Sequence, residues 1–359
     1  MKKFARILFL ILNVLVVIAF LLTTTAVWIA PSHSVWPSLA AFGYPVTLAA
    51  CVVFMLIWLC FGRWEFLVSV AAIALRWSLL PLFFQIGGNA DMPEPSDDVL
   101  TVMAFNVHQF RGVDDDSESS PDGAREFLAM VEQEGPDVLC LQEFCAVKGV
   151  SISDSLRFMG YSERYSVRTS RTGIPYGTVL FSRLPIKYVS KINAASNFYA
   201  DISKNGQIVR LMCVHLDSYQ LNDSDREEID RIAHGDVDST SSLTIAKFTS
   251  TISKHEREWN DELRPVVEAA SVPVILAGDL NDIPSSYLYH QLSRRLEDSF
   301  VECGKGMGAT YCGRNFPAFR IDYVFHSADM ECVAYKRIRS KVSDHNAVMS
   351  ALKLNINDD

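Results

Sequence analysis

Val274 to Asp282 reads VILAGDLND, an apolar run that stops at a glycine and is followed by two aspartates and an asparagine. A short apolar run bounded by turn residues is a buried strand, and Ser285 to Ser293 has the pattern of a short helix, so the polar residues sit where a strand ends. The same arrangement recurs along the chain. Asn106 closes the strand-like run Val99 to Val107, Glu143 follows the buried run Val138 to Gln142, and His215 lies at the end of Ile208 to Leu216. Asp322 sits in RIDYVF within Ile321 to His326, and SDH, Ser343 to His345, precedes Ala347 to Leu354.

Between these runs lie further strand-like stretches at Tyr176 to Ser182, Lys187 to Ala194 and Asn197 to Ile202. Gly123 to Glu134 is amphipathic, with Phe127, Met130 and Val131 on one face, and Leu243 to Ala270 reads as a long helix. Strand hairpins with interspersed helices give an α+β domain of two packed sheets flanked by helices. Functional side chains in layered folds sit at strand ends, where the backbone fixes the residue and leaves its tip accessible. Taken singly, each residue has an ordinary structural reading: Asp-Asn after a strand is a turn or cap, a strand histidine is a satisfied core group, and Glu143 is a surface acid. Their joint occurrence favours a reaction centre.

The 359 residues are 49% apolar and 21% charged, with a net charge of -9, which excludes intrinsic disorder. A mean hydropathy of +0.13 is high for a chain this acidic, because the apolar excess lies before Ile86. Residues 7–30, 39–61 and 66–86 are each long enough at about 1.5 Å per residue to cross roughly 30 Å of hydrocarbon, so three membrane helices are expected. The first is too long for a cleaved signal peptide and lacks a small-residue cleavage site. Arg76 is the weak point of the third, since a mid-helix arginine is costly unless it snorkels or pairs, and two spans with a peripheral helix are the alternative.

Lys2, Lys3 and Arg6 before the first span and Arg63 between the second and third place the amino terminus in the cytoplasm. Residues 1–88 then form the membrane region, 89–98 a linker, and 99–359 a domain outside the cytoplasm. From residue 97 on the chain holds 28 basic and 39 acidic residues. Asp114 to Ser120 and Asn222 to Ser242 read as polar loops, with Glu227 to Ala233 a helical turn or two. The eight cysteines have no zinc spacing; Cys303 and Cys312 are near enough in sequence to bridge, or stay as thiols.

The motifs FNV, LQE, GTVLFSRLPI, VHL, GDLND, TY, RIDYVF and SDH, in that order from Val99 to Leu354, resemble the endonuclease/exonuclease/phosphatase superfamily, with its deoxyribonuclease, sphingomyelinase and inositol-polyphosphate phosphatase branches. The amino-terminal spans with GDLNDIPSSYLY and GATY look like its membrane-anchored members in Bacteroidetes-type bacteria. The resemblance implies a four-layer sandwich of two mixed β-sheets flanked by helices, here preceded by the three-helix membrane bundle. It implies Mg²⁺, with Mn²⁺ as a substitute, held by Glu143 with Asn106 and Asp344. Physics agrees, since Mg²⁺ takes one or two carboxylates, several waters and a phosphate oxygen.

By the same resemblance Asp279 positions or deprotonates the attacking water, and Asn281 donates to a phosphate oxygen. His345, oriented by Asp322, supplies a cation or proton near the phosphate, and His215 assists the leaving group or the pentacovalent phosphate. His108 departs from members that carry an acid two residues after the first Asn: it is a weakened second metal position, an imidazole ligand, or a structural residue. Arg183 and Arg257 also match frequent family positions, and each is alternatively an ordinary ion-pair partner.

The acidic domain lacks the broad basic surface of a tight nonspecific nucleic-acid binder. Lys336, Arg337, Arg339 and Lys341 before SDH are either a basic loop rimming the site or a solvated strand, and Tyr287, Tyr289 and Tyr311 are either site-lining or core-edge residues. Membrane attachment favours phospholipid or inositol phosphate head groups, or extracytoplasmic nucleic acid; no protein partner is evident. The reading is a metal-dependent phosphoesterase. The alternative is a catalytically silent relative that binds phosphorylated ligands or membrane partners, against which the complete acid and imidazole set argues.

Overall fold

The computed structural model describes residues 3–113, 119–169, 176–192, 196–219, 225, 228, 231, 241–313 and 318–354. Residues 114–118 and most of the loop expected at Asn222 to Ser242, including its helical turn, lie outside the described residues. The chain divides into two compact units: Met1–Phe83 with Tyr219–Glu256 and Ile283–Leu292, and Phe84–Ser218 with Arg257–Asp282 and Ser293–Asp359.

The second unit is α+β. Its strands are β1 (Phe84–Gln85), β2 (Val99–Asn106), β3 (Val138–Cys145), β4 (Glu163–Thr169), β5 (Tyr176–Ser182), β6 (Ile186–Lys191), β7 (Phe198–Lys204), β8 (Gln207–His215), β9 (Val274–Asp279), β10 (Glu297–Asp298), β11 (Gly306–Met307), β12 (Asp322–His326), β13 (Met330–Ile338) and β14 (Ala347–Leu354). One six-stranded sheet runs β13-β14-β2-β3-β5-β4 and the other β10-β12-β9-β8-β7-β6, while β1 pairs with β11. Both large sheets are mixed, because β2 and β3 pair in parallel, as do β8 and β9, against antiparallel neighbours.

Alternation along β2 shows how the layers form. Leu100, Val102 and Ala104 join Ala200, Leu211, Cys213, Ile275 and Ala277 in the core between the sheets. Met103 and Phe105 point the other way, onto Phe127 and Val131 of the Pro121–Glu134 helix. A strand buried on both faces carries no polar alternation, which is why β2, β3 and β9 read as continuous apolar runs. That helix begins at Pro121, two residues before the expected Gly123, with Ser120 accepting from Gly123 N at 3.2 Å, and it ends on left-handed Gly135.

The first unit corrects the three-span expectation. Among the described residues only Lys3–Val27 is long and apolar enough to cross a membrane; Tyr44–Cys60 and Phe66–Leu75 are shorter apolar helices. Hydropathy counts composition and ignores backbone breaks. The stretch 39–61 is divided between Trp36–Ala41 and Tyr44–Cys60, with Pro45 in the second helix's first turn, and the stretch 66–86 stops at Leu75 and continues as a 3-10 segment, Trp77–Leu82, containing Pro81. Arg76 stands at that break with its guanidinium 4.1 Å from the Trp28 ring centroid. Arg6 pairs with Glu65, and Ser69 donates to Asn13 at 2.9 Å. Ser32 donates through both its N–H and hydroxyl to Glu256, at 2.6 and 2.8 Å, and Phe42 packs edge-on against Tyr219 and Phe248. Large apolar side chains, among them Ile7, Ile11, Leu15, Ile18, Val53 and Leu56, remain exposed on the outward faces.

One smaller expectation also changes, and two open alternatives are decided. The long helix Leu243 to Ala270 is Ser241–Arg257, a π-helical turn Glu258–Leu263 and a short helix Arg264–Glu268. Cys303 donates to the Cys332 carbonyl at 2.7 Å instead of bridging Cys312, and both remain thiols. Lys336 and Arg337 lie on strand β13, where Lys336 pairs with Glu134 at 2.6 Å, so that half of the basic run takes the strand reading.

Candidate active site

Strand register brings the separated motifs together. His215 of β8 stands beside Asp279 of β9, and Asp279 beside Asp322 of β12, so one row across three strand ends carries an imidazole and two carboxylates. The row needs glycine next to it. Gly278 has φ 144°, and a Cβ there would lie 1.9 Å from the Val214 carbonyl oxygen, so no other residue lets β9 approach β8 this closely. In the other sheet Asn106 of β2 stands beside Gln142 of β3, and Glu143 follows at an irregularity in the β3–β5 pairing.

Left-handed backbone concentrates here. Glu143 (φ 51°), Asn281 (φ 49°) and the consecutive residues His108, Gln109 and Phe110 (φ 43°, 53° and 60°) all adopt it without being glycine. Such conformations cost on the order of 1 kcal/mol or more each and persist where the surroundings enforce them. Asn106 does part of that work: its Oδ1 accepts from His108 N at 3.0 Å while its Nδ2 donates to Asp279 Oδ2 at 2.9 Å. Asn281 N donates to Asp279 Oδ1 at 2.8 Å, and Asn281 Nδ2 donates to the Leu216 carbonyl at 3.0 Å, so this amide ties the strand-end loop to the end of β8.

The imidazoles face the carboxylates. His345 Nδ1 lies 2.9 Å from Asp322 Oδ2, and its Nε2 lies 3.9 Å from both Asp279 Oδ2 and Asp344 Oδ1. Since Asp322 Oδ2 can only accept when ionised, His345 Nδ1 carries the hydrogen. His215 Nε2 lies 3.8 Å from Glu143 Oε1 and 3.9 Å from Asp279 Oδ2, and it is buried without a hydrogen-bond partner. His108 Nδ1 is 3.2 Å from Asp344 Oδ1. All eight candidate residues, Asn106, Glu143, His215, Asp279, Asn281, Asp322, Asp344 and His345, therefore belong to one connected cluster. Asp279, Asp322 and His345 offer ligand atoms within 4.8 Å of one another.

Burial and charge set the protonation states. Burial, reinforced by Asp322, pushes Asp279 up to about 6, against the pull of His345, His215 and Asn106. Burial alone would lower His345, but Asp322, Asp279 and Asp344 outweigh it and hold the imidazole well above its ordinary range. Burial also works to raise Glu143, yet His215, His108 and Gln109 bring it below the usual glutamate value. At neutral pH the cluster is thus a set of carboxylates around an imidazolium, an arrangement able to activate water and stabilise a developing oxyanion.

Several participants carry weaker marks in the sequence. Gln109 donates to Glu143 Oε2 at 3.3 Å; Thr310 Oγ1 accepts from Ile321 N and Asp322 N at 3.0 and 3.1 Å; Ser343 Oγ accepts from His345 N at 3.0 Å. Thr310 and Ser343 lie inside the motifs TY and SDH, so a signal existed for them; nothing marked Gln109. Tyr311 packs edge-on against His345 with centroids 5.2 Å apart, whereas Tyr289 is buried. Arg183 serves structure, donating to the Gly135 carbonyl with its guanidinium 4.6 Å from the Tyr161 ring centroid.

A family model described as endonuclease/exonuclease/phosphatase family matches residues 103–345, and one described as a domain of unknown function matches residues 6–83. No curated protein matches the chain. Among solved structures, an endonuclease/exonuclease/phosphatase family protein from Leptotrichia buccalis is similar at 15% identity over 70% of this chain and 98% of that one, with a TM-score of 0.50. An endonuclease/exonuclease/phosphatase from Beutenbergia cavernae matches at 20% identity over 72% of each chain, with a TM-score of 0.48. TDP2 of D. rerio, complexed with single strand DNA product, matches at 18% identity over 71% of this chain and 99% of that one, with a TM-score of 0.48.

Proposed function

The chain belongs to the endonuclease/exonuclease/phosphatase family, and from that premise we propose that it is a membrane-anchored, divalent-metal-dependent phosphoesterase that hydrolyses a phosphodiester or phosphomonoester by attack of water. The observation that carries the reading is His215 Nε2, a buried polar atom with no hydrogen-bond partner, aimed between the carboxylates of Glu143 and Asp279. Buried polar atoms are almost always satisfied, so one facing two carboxylates marks the place where a water or phosphate oxygen completes the site.

The donor set fits a hard divalent cation. Glu143 and Asp344 are carboxylates of the kind Mg²⁺ prefers, and Asn106 Oδ1 retains acceptor capacity beyond its bond from His108 N. Glu143, Asn106 and Asp344 would hold Mg²⁺, or Mn²⁺ in its place, which when bound supplies Lewis-acid polarisation of a phosphoryl oxygen and neutralises charge. Asp279, held by Asn106 and Asn281, orients the nucleophilic water and accepts its proton. His345, kept in one tautomer by Asp322, presents Nε2–H to a phosphate oxygen. His215 presents its Nε2 on the Glu143 side, where it serves the leaving oxygen. Asn281 positions Asp279 through its backbone N–H, and its remaining amide hydrogen is available to a phosphate oxygen.

The exposed apolar surface of the first unit supports the anchor, since soluble monomers rarely expose so many contiguous large apolar side chains. With Arg6 and its basic neighbours in the cytoplasm, a crossing by Lys3–Val27 puts the catalytic unit outside it. The substrate is accordingly a phosphate ester at or near the bilayer, such as a phospholipid or inositol phosphate head group, with nucleic acid the other class. Hydrolysis of bis(p-nitrophenyl) phosphate and p-nitrophenyl phosphate by the full chain in detergent, with Mg²⁺ and with chelator, tests the reaction. Turnover of either dye that chelator abolishes is expected; no turnover of either, or turnover indifferent to chelator, defeats the proposal. A carboxyl-terminal reporter tests the side, with cytoplasmic behaviour as the opposing result.

A further inference from the structure

The end of β12 remote from Asp322 carries a second group of metal-ligand side chains. Glu297 on β10 stands directly across from His326 on β12, and Glu302 on the Ser299–Cys303 helix reaches the same point, with ligand atoms of all three within 4.8 Å of one another. Asp322 and His326 are four residues apart on one strand, about 13 Å at roughly 3.3 Å per residue, so this group is separate from the reaction centre. We propose that Glu297, Glu302 and His326 form a second divalent-cation site, of the borderline nitrogen-and-oxygen class that suits Zn²⁺.

The imidazole is what distinguishes this group from an ordinary acidic patch. His326 is fully buried, and its Nδ1 lies 3.2 Å from the Ser327 carbonyl, an acceptor only. Nδ1 therefore carries a hydrogen, and Nε2 is the atom turned to the carboxylates, at 3.1 Å from Glu302 Oε2. Metal-bound histidines are oriented in this way, by donating the other ring N–H to a carbonyl or carboxylate. Two ligands about 2.0–2.2 Å from a tetrahedral Zn²⁺ stand roughly 3.3 Å apart, close to the spacing seen here. Glu302 is fixed from outside as well, since its Oε2 also accepts from Cys332 N at 3.2 Å.

The three side chains thus offer one nitrogen and two carboxylate donors to a single point. An ion here would fasten β10, β12 and the intervening helix at the place where the linker docks: Asn89 N donates to the Cys303 carbonyl at 3.1 Å, and a Cβ on Gly88 (φ 91°) would lie 2.1 Å from the Gly304 oxygen. The consequence is metal-dependent stability of the strand and helix ends against which residues 88 and 89 pack.

The test uses the full chain in detergent, stripped with chelator and titrated with Zn²⁺ alone by calorimetry, in a Glu143→Gln background that weakens the other site. One Zn²⁺ should still bind, with proton release that scales with buffer ionisation enthalpy, and should raise Tm. His326→Gln and Glu302→Gln should each weaken that binding on the order of 100-fold, and Glu297→Gln on the order of 10-fold, with the Tm rise lost in parallel. If His326→Gln fails to fold, the two glutamate variants carry the test, because their carboxylates are partly exposed and removing them leaves no cavity. Binding unchanged in both glutamate variants, or no Zn²⁺ bound in the Glu143→Gln background, would overturn the proposal.

Discussion

The two units break the ordinary inside–outside rule in opposite directions. In the catalytic unit Asp279, Asp322 and His345 are buried at a cost that no packing requirement explains, whereas in the first unit Ile11, Leu15 and Ile18 stand exposed where a soluble helix would carry charge. Each violation is organised. The buried charges are hydrogen-bonded to one another and to strained backbone, and the exposed apolar residues line the outer faces of helices whose inner faces hold Asn13, Ser69 and the Arg6–Glu65 pair. On the function proposed above, something outside the folded chain completes each departure, a reacting phosphate in one case and a bilayer in the other.

The largest effects should come from emptying the buried cluster. His345→Ala removes the imidazolium near the phosphate and should lower kcat by about 10²- to 10⁴-fold at any Mg²⁺ concentration, whereas Glu143→Gln should raise the metal concentration needed for half-maximal rate, so that added metal restores part of the activity. Steady-state rates across a Mg²⁺ titration separate the two. Near-normal rates for the His345 variant at high Mg²⁺, or unchanged metal dependence in the Glu143 variant, would break the division between metal-holding and proton-handling groups. Asp322→Asn should fall between them, since His345 stays but loses the anion that fixes its Nδ1–H.

How much of this was legible in the sequence follows from burial. β2, β3 and β9 are covered on both faces, so their apolar runs announced them, and the polar residue ending each run announced the site. Besides the two-residue strands β1, β10 and β11, the strands not expected as such are β4 and β13, the two edges of the same sheet. An edge strand meets the core with fewer residues, and the basic residues Lys336 and Arg337 left β13 readable as either a loop or a solvated strand. The left-handed conformations of Glu143, His108, Gln109 and Phe110 had no compositional sign either, because none is glycine and tertiary contacts impose them. In the first unit hydropathy identified apolar stretches but could not see that Pro45 and Pro81 divide them.

The exposed face of the first unit allows an intermediate test. Leu15→Arg places a charge at an outward position near the middle of Lys3–Val27, the helix long enough to span, where insertion scales give about 2.5–3.5 kcal/mol. The protein should shift from the membrane pellet towards the soluble or aggregated fraction, and Asn13→Leu, on the buried side, should not cause that shift. Equal fractionation of Leu15→Arg and wild type would show that the exposed apolar face is not a lipid face.

The smallest expected effect is a gain of stability from removing one of the buried charges, and it tests whether the cluster is held at the expense of the fold. Asp279 has its carboxyl raised from 3.8 to about 6 in the folded state, with burial the first cause and Asp322 the second. The folded chain therefore binds a proton more tightly than the unfolded one between about pH 4 and 6. Stability contributed through this group is full below pH 4 and falls as pH rises through that window, and above pH 6 the folded state bears the whole penalty of an ionised carboxylate. A tenfold difference in proton affinity between the folded and unfolded chain is worth about 1.4 kcal/mol, and the loss of hydrogen bonds from Asn106 and Asn281 takes part of the gain back, so Asp279→Asn should gain about 1–2 kcal/mol relative to wild type between pH 4 and pH 7 in the metal-free protein. Thermal unfolding of both proteins across that range, with chelator present, gives the comparison. A relative gain on raising the pH, in a variant with no turnover, would mean that the ionised carboxylate at this strand end is kept for reaction. Parallel pH profiles would mean instead that Asn106, Asn281 and the two imidazoles stabilise the anion fully, and that the catalytic unit carries no stability cost to set against the exposed face of the other.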